Sequence, residues 1–225
     1  MTKYITIYTS AELICLIAAL VCLFNAKERN WRLLIPFLLI TCMVEIGAVP
    51  LKTLYRANPI PQNSNAWIYN ILLLVQIGTF LMMFYNIIGK YTRSSWAIIM
   101  GLAVLLIFYS YDLITNKSNI FDYNASTYAA LSVVLVLYSL YYYFLLLNND
   151  EYTDLKYSPE FWWVTGTLFF FFGATTVNIF HSKLLSVPLK NRLYITYISN
   201  MLIVILYGCW TYAFICKRWI TSNKK

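Results

Sequence analysis

Between Trp67 and Ile88 the chain reads WIYNILLLVQIGTFLMMFYNII, a run of 22 residues without a charged side chain. An α-helix rises 1.5 Å per residue, so this run forms a helix of about 33 Å. The hydrocarbon core of a bilayer is about 30 Å thick, and about 20 apolar residues in a helix cross it. The run therefore predicts a membrane-spanning helix.

Six further runs of similar length and composition precede and follow this one. The seven predicted helices cover residues 5–25, 33–54, 67–88, 96–115, 128–147, 161–182 and 193–215. The connections between them are too short to hold a separate folded domain. We therefore predict an all-α fold: a polytopic membrane protein whose single domain, residues 1–225, is a seven-transmembrane helix bundle.

The overall composition supports this class. Hydrophobic residues make up 60% of the chain and charged residues 12%, which is about half the charge content of an ordinary soluble domain. The net charge of +8 would suit nucleic acid, but the Lys and Arg residues lie at the ends of the apolar runs rather than along one basic face. The composition thus excludes an ordinary soluble domain and argues against nucleic-acid binding.

The positive charges also predict an orientation. Of the 17 Lys and Arg residues, ten fall on the side of the C-terminus and seven on the side of the N-terminus after seven crossings. Because Lys and Arg are in excess in cytoplasmic loops, we expect the N-terminus outside and the C-terminus inside. The frequent Ile, Asn, Lys and Tyr residues are typical of an AT-rich bacterial genome. The expected location is therefore the inner, or plasma, membrane of a bacterium.

The cysteines, the histidine and the lysines exclude several kinds of site. All five cysteines fall in or at the end of predicted helices, which favours buried thiols over a disulfide framework. The single histidine, His181, excludes any site that needs two histidines from one chain. The seventh run contains no lysine, so it cannot form the Schiff base of a retinal pigment. We predict neither a cofactor nor a metal site.

Polar residues inside the predicted helices indicate where a site lies. An ionisable side chain at a helix centre costs about 2.5–3.5 kcal/mol on insertion scales, so each one is a candidate functional group. Counted in depth from the side of the N-terminus, seven polar residues fall in the same half of the membrane, the outer half in the predicted orientation. These residues are Glu12, Glu45, Asn70, Gln76, Asp112, Asn178 and Asn200.

Two interpretations of this polar layer stay open. The first is a ligand-binding pocket that opens to the outside, with the seven residues as its floor and walls. The second is a set of hydrogen bonds between helices, each contributing about 0.6–2 kcal/mol. We favour the pocket, because hydrogen bonds between helices have no reason to be confined to one half of the membrane.

Glu45 is the strongest single candidate. It lies five residues before Pro50, and no Lys or Arg lies at its depth. It is therefore either a ligand anchor or proton-sensitive group, or a protonated carboxyl that is hydrogen-bonded to Gln76 or Asn200.

The sixth predicted helix contains the segment SPEFWWVTGTLFFFFG, residues 158–173. This segment resembles the sixth helix of bacterial seven-helix membrane sensor regions, which occur alone or ahead of a histidine kinase and have a Phe-Trp-x-x-x-Gly pattern followed by aromatic residues and glycine. The resemblance implies a sensory module with a cytoplasmic C-terminus. Because no kinase domain follows the seventh helix, we expect the signal to pass to a separate partner.

Three functions fit these observations to different degrees. The leading hypothesis is a sensory or receptor-like membrane protein that binds a small or lipid-like ligand in the outer-half pocket and signals through a cytoplasmic or membrane partner. The alternative is a small-molecule transporter of the inner membrane, although the first and last three helices show no repeat. An intramembrane lipid hydrolase is disfavoured because Glu45 and Asp112 differ in depth. We therefore expect no catalytic residues. We also expect membrane lipids to contact the outer surface of the bundle.

Overall fold

The structure is a computed structural model. It describes residues 7–58, 60, 64–92, 96–116, 121–149, 154–185 and 189–223. Within these ranges the side chains of residues 7, 8, 56, 177–185, 189–196 and 220–223 are not described.

Most of the described chain is helical. It is 87% helix and contains no strand, which confirms the all-α prediction for these residues. The α-helices are α1 (Ile7–Leu23), α2 (Arg29–Arg32), α3 (Leu34–Ala57), α4 (Ala66–Ile88), α5 (Trp96–Thr115), α6 (Ala125–Leu147), α7 (Pro159–Leu185) and α8 (Leu189–Asn223). A short 3-10 helix, Leu155–Tyr157, precedes α7.

Five helical segments are long and apolar enough to cross a membrane. They are Arg29–Tyr55, Ala66–Ile88, Trp96–Thr115, Ala125–Leu147 and Tyr197–Trp219. A further apolar segment in α1, Thr9–Leu23, is shorter. These segments indicate a helical multi-pass membrane protein.

The helix limits follow the predicted runs most closely where polar loops flank them. The predicted helix 96–115 coincides with α5, and α4 begins one residue before the predicted 67–88. By contrast, α8 extends well beyond the predicted 193–215 at both ends. Hydropathy marks the limit of the hydrocarbon core, whereas a helix keeps its backbone hydrogen bonds beyond it and continues into water.

The start of α7 shows how the sequence fixes a helix end. Ser158 Oγ accepts a hydrogen bond from the backbone N–H of Phe161 at 3.3 Å, and Pro159 occupies the first helical position. Serine before the helix satisfies a donor that has no partner within it, and proline has no N–H to leave unpaired.

Helix α8 packs against α1 and α7, and aromatic side chains fill the centre of the bundle. The Trp163 and Trp210 rings stack with centroids 5.7 Å apart and an interplanar angle of 13°. Phe80 of α4 contacts both rings, at 5.7 Å and 5.8 Å. Gly166 lets α7 approach α8, because a Cβ there would lie 2.8 Å from Cys209 Cβ. Four helices, α3, α4, α7 and α8, therefore meet in a tightly packed aromatic layer, which we define by Phe37, Phe80, Trp163 and Trp210.

Candidate functional site

A cavity of about 240 Å³ lies between α1, α3, α4, α7 and α8, near the start of α6. Its described lining consists of Glu12, Thr41, Glu45, Tyr69, Leu72, Gln76, Tyr123, Tyr128, Phe170, Ile203, Leu206 and Tyr207. Three of the seven sequence-predicted residues, Glu12, Glu45 and Gln76, are among them. We call this the polar cavity.

Glu12 is the most deeply buried acidic residue of the polar cavity. The residue is 3% exposed, and its Oε1 atom has no hydrogen-bond partner among the described residues. The Cys42 thiol makes a side-chain hydrogen bond with this carboxyl group, so the group has one partner and one oxygen without a described partner. Burying a polar atom without a hydrogen bond is costly, so the large majority of buried side-chain polar atoms in folded proteins have a partner. An unpartnered carboxylate oxygen at a cavity wall therefore indicates a place for a ligand or water.

Glu45 of α3 is the second acidic residue of the polar cavity. Its Oε2 accepts a hydrogen bond from the Tyr69 hydroxyl at 3.3 Å, a long bond for this pair of atoms. Tyr69 and Gln76 are seven residues apart on α4, so they occupy the same helix face. The predicted bond between Glu45 and Gln76 is not needed to hold this carboxyl group, because Tyr69 donates to it.

Four tyrosines of the lining were not predicted: Tyr69, Tyr123, Tyr128 and Tyr207. The chain contains 20 tyrosines, and tyrosine is common at membrane interfaces, so composition alone does not distinguish them. One signal was available for Tyr69, because its seven-residue spacing from Gln76 places both on one face. Tyr123 and Tyr128 contact each other, with ring centroids 6.1 Å apart.

Asn70 follows Tyr69 of the cavity lining directly in sequence. Its side chain, however, binds the segment before α6. Its Nδ2 donates to the carbonyl of Asp122 at 2.8 Å, and its Oδ1 accepts from the backbone N–H of Asn124 at 3.0 Å. Both partners belong to the segment before α6. Asn70 is not among the described lining residues, and its amide positions that segment against α4.

Asp112 caps a neighbouring helix. Its Oδ2 accepts hydrogen bonds from the backbone N–H and from the hydroxyl of Thr127, both at 2.8 Å. Thr127 lies in the first turn of α6, where backbone N–H groups have no partner within the helix and a negative charge is favoured. This is the hydrogen-bonding interpretation of the polar layer, and it fits Asn70 and Asp112.

The other two predicted site residues lie in α7 and α8. Asn200 is half-buried in α8 and is not among the described residues that line the polar cavity. Asn178 belongs to α7, but its side chain lies outside the described part of the chain, as does the side chain of His181.

Positive charge is absent from the described lining of the polar cavity. The charge of Lys52 reaches Glu45, but Lys52 is exposed on α3. It lies seven residues further along, about 10 Å at 1.5 Å per residue. The polar cavity is therefore a site with two acidic groups, hydroxyl and amide donors, and aromatic walls.

A network of ion pairs lies at the opposite end of the bundle. Lys217 Nζ lies 2.6 Å from Glu28 Oε1 and 3.9 Å from Glu160 Oε1, and Lys90 Nζ lies 2.7 Å from Glu160 Oε1. The Lys217 side chain is 8% exposed and lies over the Trp31 ring, 5.2 Å from its centroid. We call these four charged residues the ion-pair network.

The charges of the ion-pair network act on one another. Burial by itself raises the pKa of Glu28, but the hydrogen bond from Lys217 and the Lys217 charge outweigh it, and the pKa lies below its usual value. Burial by itself lowers the pKa of Lys90, but the Glu160 carboxylate outweighs it, and the pKa is raised. Both shifts favour the charged forms of Glu28 and Lys90.

Comparison with protein-family models, curated proteins and solved structures finds no match to this chain. Among the described residues no group of three or more His, Cys, Asp or Glu side chains is placed to hold a metal ion. All five cysteines are free thiols; Cys15, Cys42 and Cys216 are buried, and Cys22 and Cys209 are half-buried.

Proposed function

We propose that this protein is a receptor-like membrane protein that binds a small ligand in the polar cavity and signals through a separate partner. The main support is the Oε1 atom of Glu12, which is buried at the cavity wall with no described hydrogen-bond partner. A bound ligand that donates a hydrogen bond to this atom removes the cost of its burial.

The packing below the cavity favours binding over transport. Gln76 and Phe170 line the polar cavity, whereas Phe80, Trp163 and Trp210 form the aromatic layer towards the ion-pair network. Transport requires a pathway that opens to both sides of the membrane in turn. The stacked rings and the close approach of α7 and α8 at Gly166 form a barrier on one side. The transporter remains the second hypothesis.

The proposed topology has seven crossings, with the N-terminus outside and the C-terminus in the cytoplasm. The five segments that are long and apolar enough to span are supplemented by α1 and α7, which both pack against α8. In this arrangement the polar cavity opens outwards, and the ion-pair network lies at the cytoplasmic end. The proposed location is the inner membrane of a bacterium, in line with the resemblance of residues 158–173 to bacterial sensor regions.

Native mass spectrometry of protein extracted from its own membranes, combined with thermal unfolding against a chemically diverse panel of small molecules, tests this proposal. We expect a retained or added molecule that raises the melting temperature of the wild type. Glu45→Gln should reduce this shift, whereas Asp154→Asn, an exposed acid-to-amide change outside the cavity, should not. The absence of any retained molecule and of any melting shift would contradict the proposal.

A further inference from the structure

We infer that the polar cavity binds a small organic ammonium ion, with Glu12 as the group that pairs with its charge. This inference rests on the proposed function, because it assumes that the cavity is a ligand site. It adds the chemical class of the ligand, which neither the fold nor the location of the cavity specifies.

The charge of the ligand follows from the acids of the lining. Glu12 and Glu45 come from different helices, α1 and α3, and no described lining residue is a Lys or Arg. A buried carboxylate is stable as an ion only when a cation or several donors compensate it. The ion-pair network shows that this chain supplies lysines to acidic residues elsewhere, with Nζ to Oε1 distances of 2.6 Å and 2.7 Å. At the polar cavity the compensating cation would come from the ligand.

The aromatic walls favour an organic cation. Tyr69, Tyr123, Tyr128, Tyr207 and Phe170 contribute rings to the described lining. The face of an aromatic ring attracts ammonium groups and, when desolvated, does so more strongly than at an exposed site. Leu72, Ile203 and Leu206 add an apolar surface for a hydrocarbon substituent. A neutral ligand would use these rings but would supply no positive charge to the two acidic groups.

The volume of the cavity sets a lower and an upper limit on the size of the ligand. A water molecule takes about 30 Å³ in the liquid, so 240 Å³ corresponds to about eight waters. This space is too large for a bare alkali cation alone and smaller than the 300–1,000 Å³ that is common for drug-sized ligands. An ammonium group with a short alkyl or single-ring substituent fits within this range.

Matched probe pairs test the inference in purified full-length protein. Each pair has the same carbon skeleton with either an ammonium group or a hydroxyl group: butylammonium and butanol, and 2-phenylethylammonium and 2-phenylethanol. Sodium chloride serves as the inorganic cation, and 3-phenylpropanoate as the anion. Dissociation constants are measured by isothermal titration calorimetry for the wild type, Glu12→Gln, Glu45→Gln and the control Asp154→Asn.

We expect at least one ammonium probe to bind the wild type tenfold or more tightly than its matched alcohol. Glu12→Gln should weaken the binding of that probe at least tenfold, and Glu45→Gln should weaken it less. Asp154→Asn should leave the affinity unchanged. The charge comparison uses the wild type alone, so it remains decisive if Glu12→Gln does not fold.

Three outcomes would overturn the inference. Equal or tighter binding of the alcohols or of the anion would show a ligand site with a different chemistry and would leave the proposed function standing. Saturable sodium binding that excludes the ammonium probes would assign the acidic groups to an inorganic cation. No binding by any ammonium probe would also overturn it, and the wider panel described for the proposed function would then decide whether the cavity is a ligand site.

Discussion

The two ends of the bundle use the same residue type in different ways. At the ion-pair network, Glu28 and Glu160 each lie within 2.7 Å of a lysine nitrogen. At the polar cavity, Glu45 accepts one long hydrogen bond from a tyrosine, and Glu12 has a buried oxygen without a described partner. An acidic group that the chain pairs with a lysine holds helices together, whereas one that lies at a cavity wall without a described lysine or arginine partner is available to a ligand.

The distance between these regions separates their roles. On α4, Gln76 lines the polar cavity and Lys90 follows the helix end, 14 residues away, or about 21 Å along the axis. The aromatic layer lies between them. We therefore expect substitutions at the ion-pair network to change the free energy of unfolding, and substitutions at the polar cavity to change ligand binding.

The largest expected effect on the free energy of unfolding is that of Lys217→Met. This substitution removes a buried cation that lies beside Glu28 and Glu160 and over Trp31. Breaking a buried ion pair costs about 3–5 kcal/mol. Because the Glu28 side chain is 48% exposed, we expect a loss of about 2–3 kcal/mol, measured by chemical unfolding in detergent micelles. The adjacent Arg218→Met is the control, since Arg218 is exposed. Equal losses in both variants would contradict a structural role for Lys217.

Asp112→Ala should cause the second-largest loss of stability. It removes the acceptor of two 2.8 Å hydrogen bonds from Thr127 at the start of α6. Loss of a helix cap costs about 0.5–2 kcal/mol, so we expect a lower melting temperature with unchanged ligand affinity. Asp112→Asn retains an acceptor oxygen and should recover part of the stability. A weakened ligand affinity in both variants, with normal melting, would instead place Asp112 in the site.

Gly166→Ala tests the contact between α7 and α8 that separates the two ends. The new Cβ would lie 2.8 Å from Cys209 Cβ and 3.1 Å from the Leu206 carbonyl oxygen. Overpacking of this kind costs about 1–3 kcal/mol, and we expect a value near the lower limit in a thermal unfolding assay. Gly208→Ala is the matched control on α8, because a Cβ at Gly208 meets no atom within 4 Å. A stabilised Gly166→Ala protein would show that this packing is looser than described.

A smaller effect concerns pH. The pKa of Glu28 is lower in the folded protein than the usual 4.5, so ionised Glu28 stabilises the fold above pH 4.5, and this contribution is lost as the pH falls through the folded pKa. Melting curves of the wild type and Glu28→Gln should therefore differ most at neutral pH and converge in acid. A difference that persists or grows in acid would contradict the ion pair as the cause.

Helix positions could be predicted from the sequence because each depends on a local run of about 20 apolar residues. The sequence also predicts a depth for each polar residue, which is the number of residues from the helix end multiplied by 1.5 Å. The depth of a residue does not specify towards which neighbouring helix its side chain points. Tyr69 and Asn70 are neighbours in sequence, yet Tyr69 lines the polar cavity and Asn70 holds the loop before α6.

The ion-pair network could not be predicted for a related reason. In the sequence, Lys217 does not differ from the other positive charges at helix ends. Its partner Glu28 is 189 residues away. The packing of α8 against α1 and the contact of Trp31 in α2 with Phe214 in α8 bring them together. The same packing decides which of the polar residues at one depth share a cavity.

The most direct test compares Glu12→Gln with Lys217→Met, each unfolded with and without the best ammonium ligand. Because Oε1 of Glu12 has no described partner, we expect Glu12→Gln to leave the melting temperature of the ligand-free protein unchanged or higher and to abolish the ligand-induced increase. Lys217→Met should lower the ligand-free melting temperature and retain the increase. If Glu12→Gln instead destabilises the ligand-free protein as much as Lys217→Met and retains the ligand response, Glu12 is a structural residue and the polar cavity is not the ligand site.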